Sequence, residues 1–303
     1  MRFKDCFYSR GNTLVKNTQW YHSLWGGATK FWDTSQFNID VVNLGSNPGL
    51  YDFCYEGLPL IGKNWALGPQ SLVHDYNILK NYFSFLREGA TVLIVVCPFS
   101  CLFSSYNKEH NFKYYTFLHP ATICNFIESE RTRAWHFKEI PFNKEPWMCL
   151  KHILKEKLQN KLRTNKISPM QNNIAKTAED LVSGWKKQFG IDDLCAPLSL
   201  KHREEFVSRR GTLNDMIFFC HERLLKPVII VPPMHRSLRS LLPDDFKKHY
   251  VDDFLMGLDA SILDYMDNNF RDMNYYFDTA LFLNKKGAKL FTKQVLSDIG
   301  LLK

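Results

Sequence analysis

Between Thr91 and Val96 the chain reads TVLIVV and stops at Cys97 and Pro98. A continuous apolar run of this length, closed by a proline, is the pattern of a strand buried on both faces, and such strands belong to parallel sheets covered by helices. The same pattern occurs twice more. Asn38–Leu44 (NIDVVNL) runs into the turn formers Gly45, Asn47, Pro48 and Gly49, and Val228–Val231 (VIIV) ends at Pro232 and Pro233.

Helical spacing fills the gaps between these runs. Leu72, Tyr76, Leu79, Phe83 and Leu86 recur at intervals of three and four after Ser71, which predicts a helix closed by Gly89. Leu213, Met216, Ile217, Cys220 and Leu224 mark another, just ahead of the Val228 strand. Tyr275–Phe277 is expected to be a last short strand, followed by a helix capped by Asn284 with Phe291, Val295 and Ile299 on its inward face. Alternating strands and helices imply an α/β fold with a doubly wound parallel sheet.

A chain of 303 residues, 45% hydrophobic and 15% aromatic, can bury a substantial core, and the reading is one domain over residues 1–303. Residues 103–201 interrupt the rhythm with aromatics and then lysines, and are read as an insertion on the sheet. Tyr106, Phe112, Tyr114, Tyr115 and Phe117 there are expected to line a core or pocket, with stacking on sugars or bases as the alternative.

The net charge of +8 is concentrated around Lys151–Lys166 (KHILKEKLQNKLRTNK), where Ile153, Leu154, Leu158 and Leu162 stand near helical spacing. This basic amphipathic pattern reads as a solvated helix, or as one that docks on an anionic membrane surface or an acidic polymer. Nucleic acid is not the expected partner. The first twenty residues lack the apolar run of a signal peptide or membrane span, so a cytoplasmic location is expected. The eight cysteines form no CxxC pair, and neither a metal nor a cofactor is expected, since GxGxxG after a strand, GxxxxGK(S/T) and HExxH are all missing.

In an open parallel sheet, ligands bind beyond the carboxyl ends of the strands. Gly45–Gly49, Cys97–Ser100 and Pro232–Arg236 are therefore expected to open on one edge. Two blocks, VVNLGSNPGLYDF (Val41–Phe53) and YYFDTALFLNKKGA (Tyr275–Ala288), resemble those of the SGNH (GDSL-type) hydrolases, a resemblance that implies a three-layered, flavodoxin-like fold. Val41–Phe53 resembles that superfamily's first block, especially in bacterial branches linked to surface polysaccharides whose strand ends in Gly-Ser-Ser with the second serine as nucleophile. Tyr275–Ala288 resembles the block carrying an Asp-x-x-His pair ahead of a helix.

In this register Gly45 and Ser46 match, but Asn47 stands at the nucleophile, Thr279 at the aspartate and Phe282 at the histidine. An amide cannot accept an acyl group as a serine does, and a phenyl ring cannot take a proton, so the ordinary triad is lost. The resemblance then implies a protein of bacterial surface-polysaccharide metabolism that binds an acylated or glycosyl ligand without turnover. An active O-acyl esterase or acyltransferase would instead need Ser46 as nucleophile, His235 as base and Asp278 as orienting acid, with Ser46 in hydrogen-bond reach of His235. A third reading is a non-enzymatic interaction scaffold using the insertion. Gly45, Asn47, Asn64, Gln70, Arg236 and Asn284 are the candidate ligand-binding residues: Asn64 and Gln70 as neutral donors to an oxyanion, against loop closure as the plainer role, and Arg236 and Arg239 as donors to a carboxylate or phosphate.

Overall fold

A computed structural model describes residues 3–32, 36–103, 112–123, 125–163 and 174–302. In chain order, α1 (Phe3–Lys16) and α2 (Gln19–Trp25) precede β1 (Ile39–Leu44), α3 (Asn47–Tyr51), β2 (Gly62–Asn64), α4 (Leu72–Tyr82) and β3 (Leu86–Val95). There follow α5 (Glu128–Glu139), α6 (Pro141–Lys144), α7 (Pro146–Arg163), α8 (Ile174–Phe189) and α9 (Leu200–Glu222). The chain continues through β4 (Lys226–Val231), α10 (Arg236–Arg239), α11 (Asp244–Lys247), β5 (Ser261–Asp264) and α12 (Lys285–Asp298). Contacts divide it into two units, Met1–Ser35 with Tyr106–Gln171 and Gln36–Ser105 with Asn172–Lys303.

The second unit carries the sheet. Its five strands are all parallel, in the order β2-β1-β3-β4-β5, so the chain winds outward in both directions from β1 and β3. Side chains alternate across each strand, which sends Val41, Leu93, Val95, Val228 and Ile230 to one face, where Phe291, Val295 and Leu296 of α12 cover them. Val42, Val92, Ile94 and Ile229 are equally buried, and α4 and α9, packed on one another, supply buried Ile78, Leu79, Leu213, Met216 and Cys220. Helices thus close both faces, as the uninterrupted apolar runs require.

Several local expectations change. The helix after Ser71 ends at Tyr82 and gives way to a 3-10 turn, and Leu86 already begins β3. Gly89 is not its cap. It lies within β3 at a φ of +71° and donates its N–H to Leu224 O at 3.0 Å, a conformation that glycine adopts without strain. Tyr275–Phe277 is not a strand either. Asn274–Tyr276 form a 3-10 turn, and Phe277 makes a single antiparallel bridge with Leu283. The last strand is β5, an edge strand whose exposed residues carry no apolar run to reveal it. Asn284 does cap α12, its Oδ1 accepting from the N–H groups of Lys286 at 3.0 Å and Gly287 at 3.1 Å.

Of the span 103–201, α8 and the start of α9 belong to the sheet unit. The remainder groups with α1 and α2. Trp25 is fully buried and stacks on Phe112, Phe31 stacks on Phe117, and Phe142 packs edge-on to Phe7 and Tyr8. Tyr114 and Tyr115 are buried as well, so these aromatics form a core, while Tyr106 lies outside the described residues. Gly11 makes this packing possible, because a Cβ there would meet the Phe142 ring at 2.4 Å.

Candidate functional site

Because β1, β3 and β4 are parallel neighbours, the loops after them leave from one edge of the sheet, and the winding direction reverses between β1 and β3. Gly45 turns the chain out of β1 at a φ of +132°, and a Cβ on it would lie 2.9 Å from both Cβ and O of Val95. Its N–H donates to Asp75 Oδ1 at 2.7 Å. Gln70 ties the loop together. Its side-chain amide donates to Gly45 O at 3.3 Å and to Asp75 Oδ1, and its backbone N–H donates to Ser46 Oγ at 3.1 Å.

Asn64 has a similar role one loop away. Its Nδ2 donates to the carbonyls of Gly49 at 2.9 Å, Leu50 at 3.1 Å and Phe53 at 3.3 Å, while its Oδ1 accepts from Ala66 N–H at 3.1 Å. Both amides proposed as oxyanion donors therefore close loops. Asn47 is half-buried, and its Oδ1 occupies the space beside Gly68, where a Cβ would sit 1.7 Å from it.

After β3, Cys97 donates its N–H to Ser100 Oγ at 2.8 Å. Burial pushes the Cys97 thiol up to about 12, the Ser100 side chain and the Ser46 backbone only partly offsetting it, so it is no thiolate nucleophile at neutral pH. Phe99 stacks on Phe189 at 4.9 Å and packs against Trp185, Phe246 and Tyr250, which fixes this loop to α8 and α11.

After β4, His235 is buried and caps α10. Ser237 donates its backbone N–H to Nδ1 at 3.2 Å, with its hydroxyl 2.7 Å from the same atom. Nδ1 therefore holds the lone pair, and Nε2–H is the nitrogen that donates to Asn274 Oδ1, at 2.6 Å. Among the described residues, the Ser46 hydroxyl is bonded by Gln70 and the His235 ring by Ser237 and Asn274, with no hydrogen bond joining the two.

The closing loop is held from both sides. His235 donates its N–H to Ala280 O at 2.9 Å, and Leu283 donates its N–H to Asp52 Oδ1 at 2.8 Å. The segments 41–53, 232–236 and 275–288 are in this way linked directly. Within the loop, Thr279 Oγ1 accepts from the N–H groups of Leu281 and Phe282, and the Phe282 ring lies 5.1 Å from that of Tyr51. Asp278 is exposed, its N–H donating to Phe282 O. Asn284 adds an Nδ2 donor to Tyr275 O at 2.7 Å. Arg236 is exposed, whereas Arg239 is bound to Asp244 at 2.6 Å, Asp267 at 2.9 Å and Leu242 O.

Two carboxyl groups were not singled out from sequence. Asp75 is buried and receives Gly45 and Gln70. Asp52 is wholly buried with Oδ2 unpartnered, and burial raises its pKa well above the ordinary carboxylate value, against the opposing Leu283 hydrogen bond. Asn43 is a third buried polar residue at this edge, donating to Gly49 O at 2.8 Å with its own Oδ1 unpartnered. An asparagine within the apolar run of β1 was the signal available for it. No protein-family model matches this chain, and no curated protein matches it.

Proposed function

We propose that the edge formed by the loops after β1, β3 and β4 binds an acylated or glycosyl ligand without turning it over, in an SGNH-hydrolase-like protein of bacterial surface-polysaccharide metabolism. The observation that carries this reading is the partnering of Ser46 and His235. The serine hydroxyl accepts from Gln70, and both imidazole nitrogens are engaged by Ser237 and Asn274. A nucleophile needs an adjacent base to be activated, and this pair has none of that coupling. Asn47, Thr279 and Phe282 at the positions that the resemblance assigns to the triad agree with it.

The second reading, an esterase or acyltransferase through Ser46, His235 and Asp278, would require His235 to exchange Asn274 or Ser237 for Ser46. The test is hydrolysis of p-nitrophenyl acetate by the purified chain beside Ser46→Ala and His235→Ala. Equal background rates in all three are expected. Turnover that disappears in both variants would overturn non-catalytic binding and establish the relocated pair.

A further inference from the structure

The sequence pattern of the basic helix left open which side of it faces outward. Helix α7 answers this through its inward contacts. Cys149 and Ile153 are buried, His152 stacks on Trp20 at a ring distance of 4.0 Å, and Glu156 accepts the Gln19 N–H through both carboxylate oxygens, at 3.0 and 2.9 Å. The expected apolar face is therefore divided. Ile153 turns inward, while Leu154 is 58% exposed, Leu158 62% and Trp147 83%. The side chain of Leu162 lies outside the described residues.

The outward residues are related by helical geometry. At 100° per residue, Trp147, Leu154 and Leu158 fall within about 20° of one line, Lys151 lies about 40° from it, and Lys155 and Lys157 flank it at about 80° on opposite sides. Glu156 is the only acidic residue between Pro146 and Arg163, and it faces inward. The exposed face is thus an apolar strip with a terminal tryptophan, bordered by cations and lacking a carboxylate.

The charge of the whole chain follows the same division. The unit containing α7 has 17 lysines and arginines against 8 aspartates and glutamates, whereas the sheet unit has 22 against 23. No helix among the described residues is long and apolar enough to cross a membrane.

We propose that this face of α7 lies on an anionic lipid bilayer, with Trp147, Leu154 and Leu158 entering the headgroup boundary and Lys151, Lys155 and Lys157 at the lipid phosphates. Apolar anchoring combined with attraction to anionic lipid is the basis of interfacial helix binding, and lysine stems reach past apolar surface to keep their charge at the headgroups. An acidic polymer in water would use the lysines but would gain little from a strip of tryptophan and leucine. This inference does not rest on the ligand assigned to the sheet edge.

The test is sedimentation of the full chain with vesicles of phosphatidylcholine alone, or of phosphatidylcholine and phosphatidylglycerol in equal parts, at low salt. Binding to the mixed vesicles and little to the neutral ones is expected. Replacing Lys151 and Lys155 by Gln should weaken binding about 25-fold, taking about fivefold per lysine near the surface. Trp147→Ser with Leu154→Ser should weaken it at least tenfold, with unchanged circular dichroism showing that these surface changes leave the fold intact. Absence of binding to the anionic vesicles would overturn the proposal. So would binding that the Lys variant weakens and the Trp147/Leu154 variant leaves alone, since that is the behaviour of a general polyanion site.

Discussion

Asp52, at the end of α3, and Leu283, just ahead of α12, are 231 residues apart and joined by a hydrogen bond of 2.8 Å from the Leu283 N–H to Oδ1. The carboxyl is wholly buried and its second oxygen is unpartnered. Burial therefore favours its protonated form.

This has a signed consequence for stability. The folded-state pKa of Asp52 lies above its unfolded value of about 3.9. Between the two values the folded chain holds a proton that the unfolded chain has released, so stability falls as pH rises through that window. Asp52→Asn keeps an acceptor for Leu283 and removes the ionisation. It should leave stability little changed near pH 4 and raise it relative to the parent at pH 8, by about 1.4 kcal/mol for every tenfold difference in proton affinity between the folded and unfolded carboxyl. Urea unfolding at the two pH values measures this, and a difference between the proteins that is the same at both would refute it.

Gly45→Ala should destabilise by about 2–6 kcal/mol. The strained backbone at φ +132° accounts for about 1–3 kcal/mol and the collision with Val95 for a comparable amount. Denaturation midpoints would show it, and a loss below about 0.5 kcal/mol would mean that the loop after β1 can relax.

Asn64→Ala should cost about 1–3 kcal/mol, because it takes the Nδ2 donor from the carbonyls of Leu50 and Phe53 and leaves Gly49 O with Asn43 alone. Asn64→Asp should be no better, as a carboxylate brings no donor to three carbonyls. If Asp restored full stability, the Nδ2 contacts would not be what holds the loop.

Cysteine reactivity should follow burial. Cys6 and Cys195 are exposed, whereas burial pushes the Cys97 and Cys220 thiols up to about 12. At pH 8 the buried Cys97 thiol is therefore held protonated, and the thiolate is the species that alkylates. Iodoacetamide labelling followed by peptide mass spectrometry should find Cys6 and Cys195 modified first. Early modification of Cys97 would show that the loop after β3 opens in solution.

Much of the sheet was legible in the sequence, for a physical reason. The inner stretches of β1, β3 and β4 are buried on both faces and so are largely apolar, while β2 and β5 are edge strands of three and four residues that carry no such signature. That the loops after β1, β3 and β4 leave from one edge followed from parallel topology alone. The partners of side chains did not. Ser46 and His235 could be assigned to loops on the same edge, but only the folded chain shows Gln70 bonding one, and Ser237 with Asn274 the other. The lysine-rich segment was likewise recognisable as amphipathic, yet its orientation depended on Gln19 and Trp20, more than 130 positions away.

The central pairing of the sheet also sets a timetable for synthesis. Thr91 of β3 lies beside Lys226 of β4, roughly 135 residues later, and much of the intervening chain belongs to the other unit. At translation rates of about 5–20 residues per second, β3 waits roughly 7 to 27 s with one edge of apolar strand uncovered. An exposed edge is a template for pairing with a second nascent chain. The fold therefore leaves this strand edge open on the ribosome until β4 has been made.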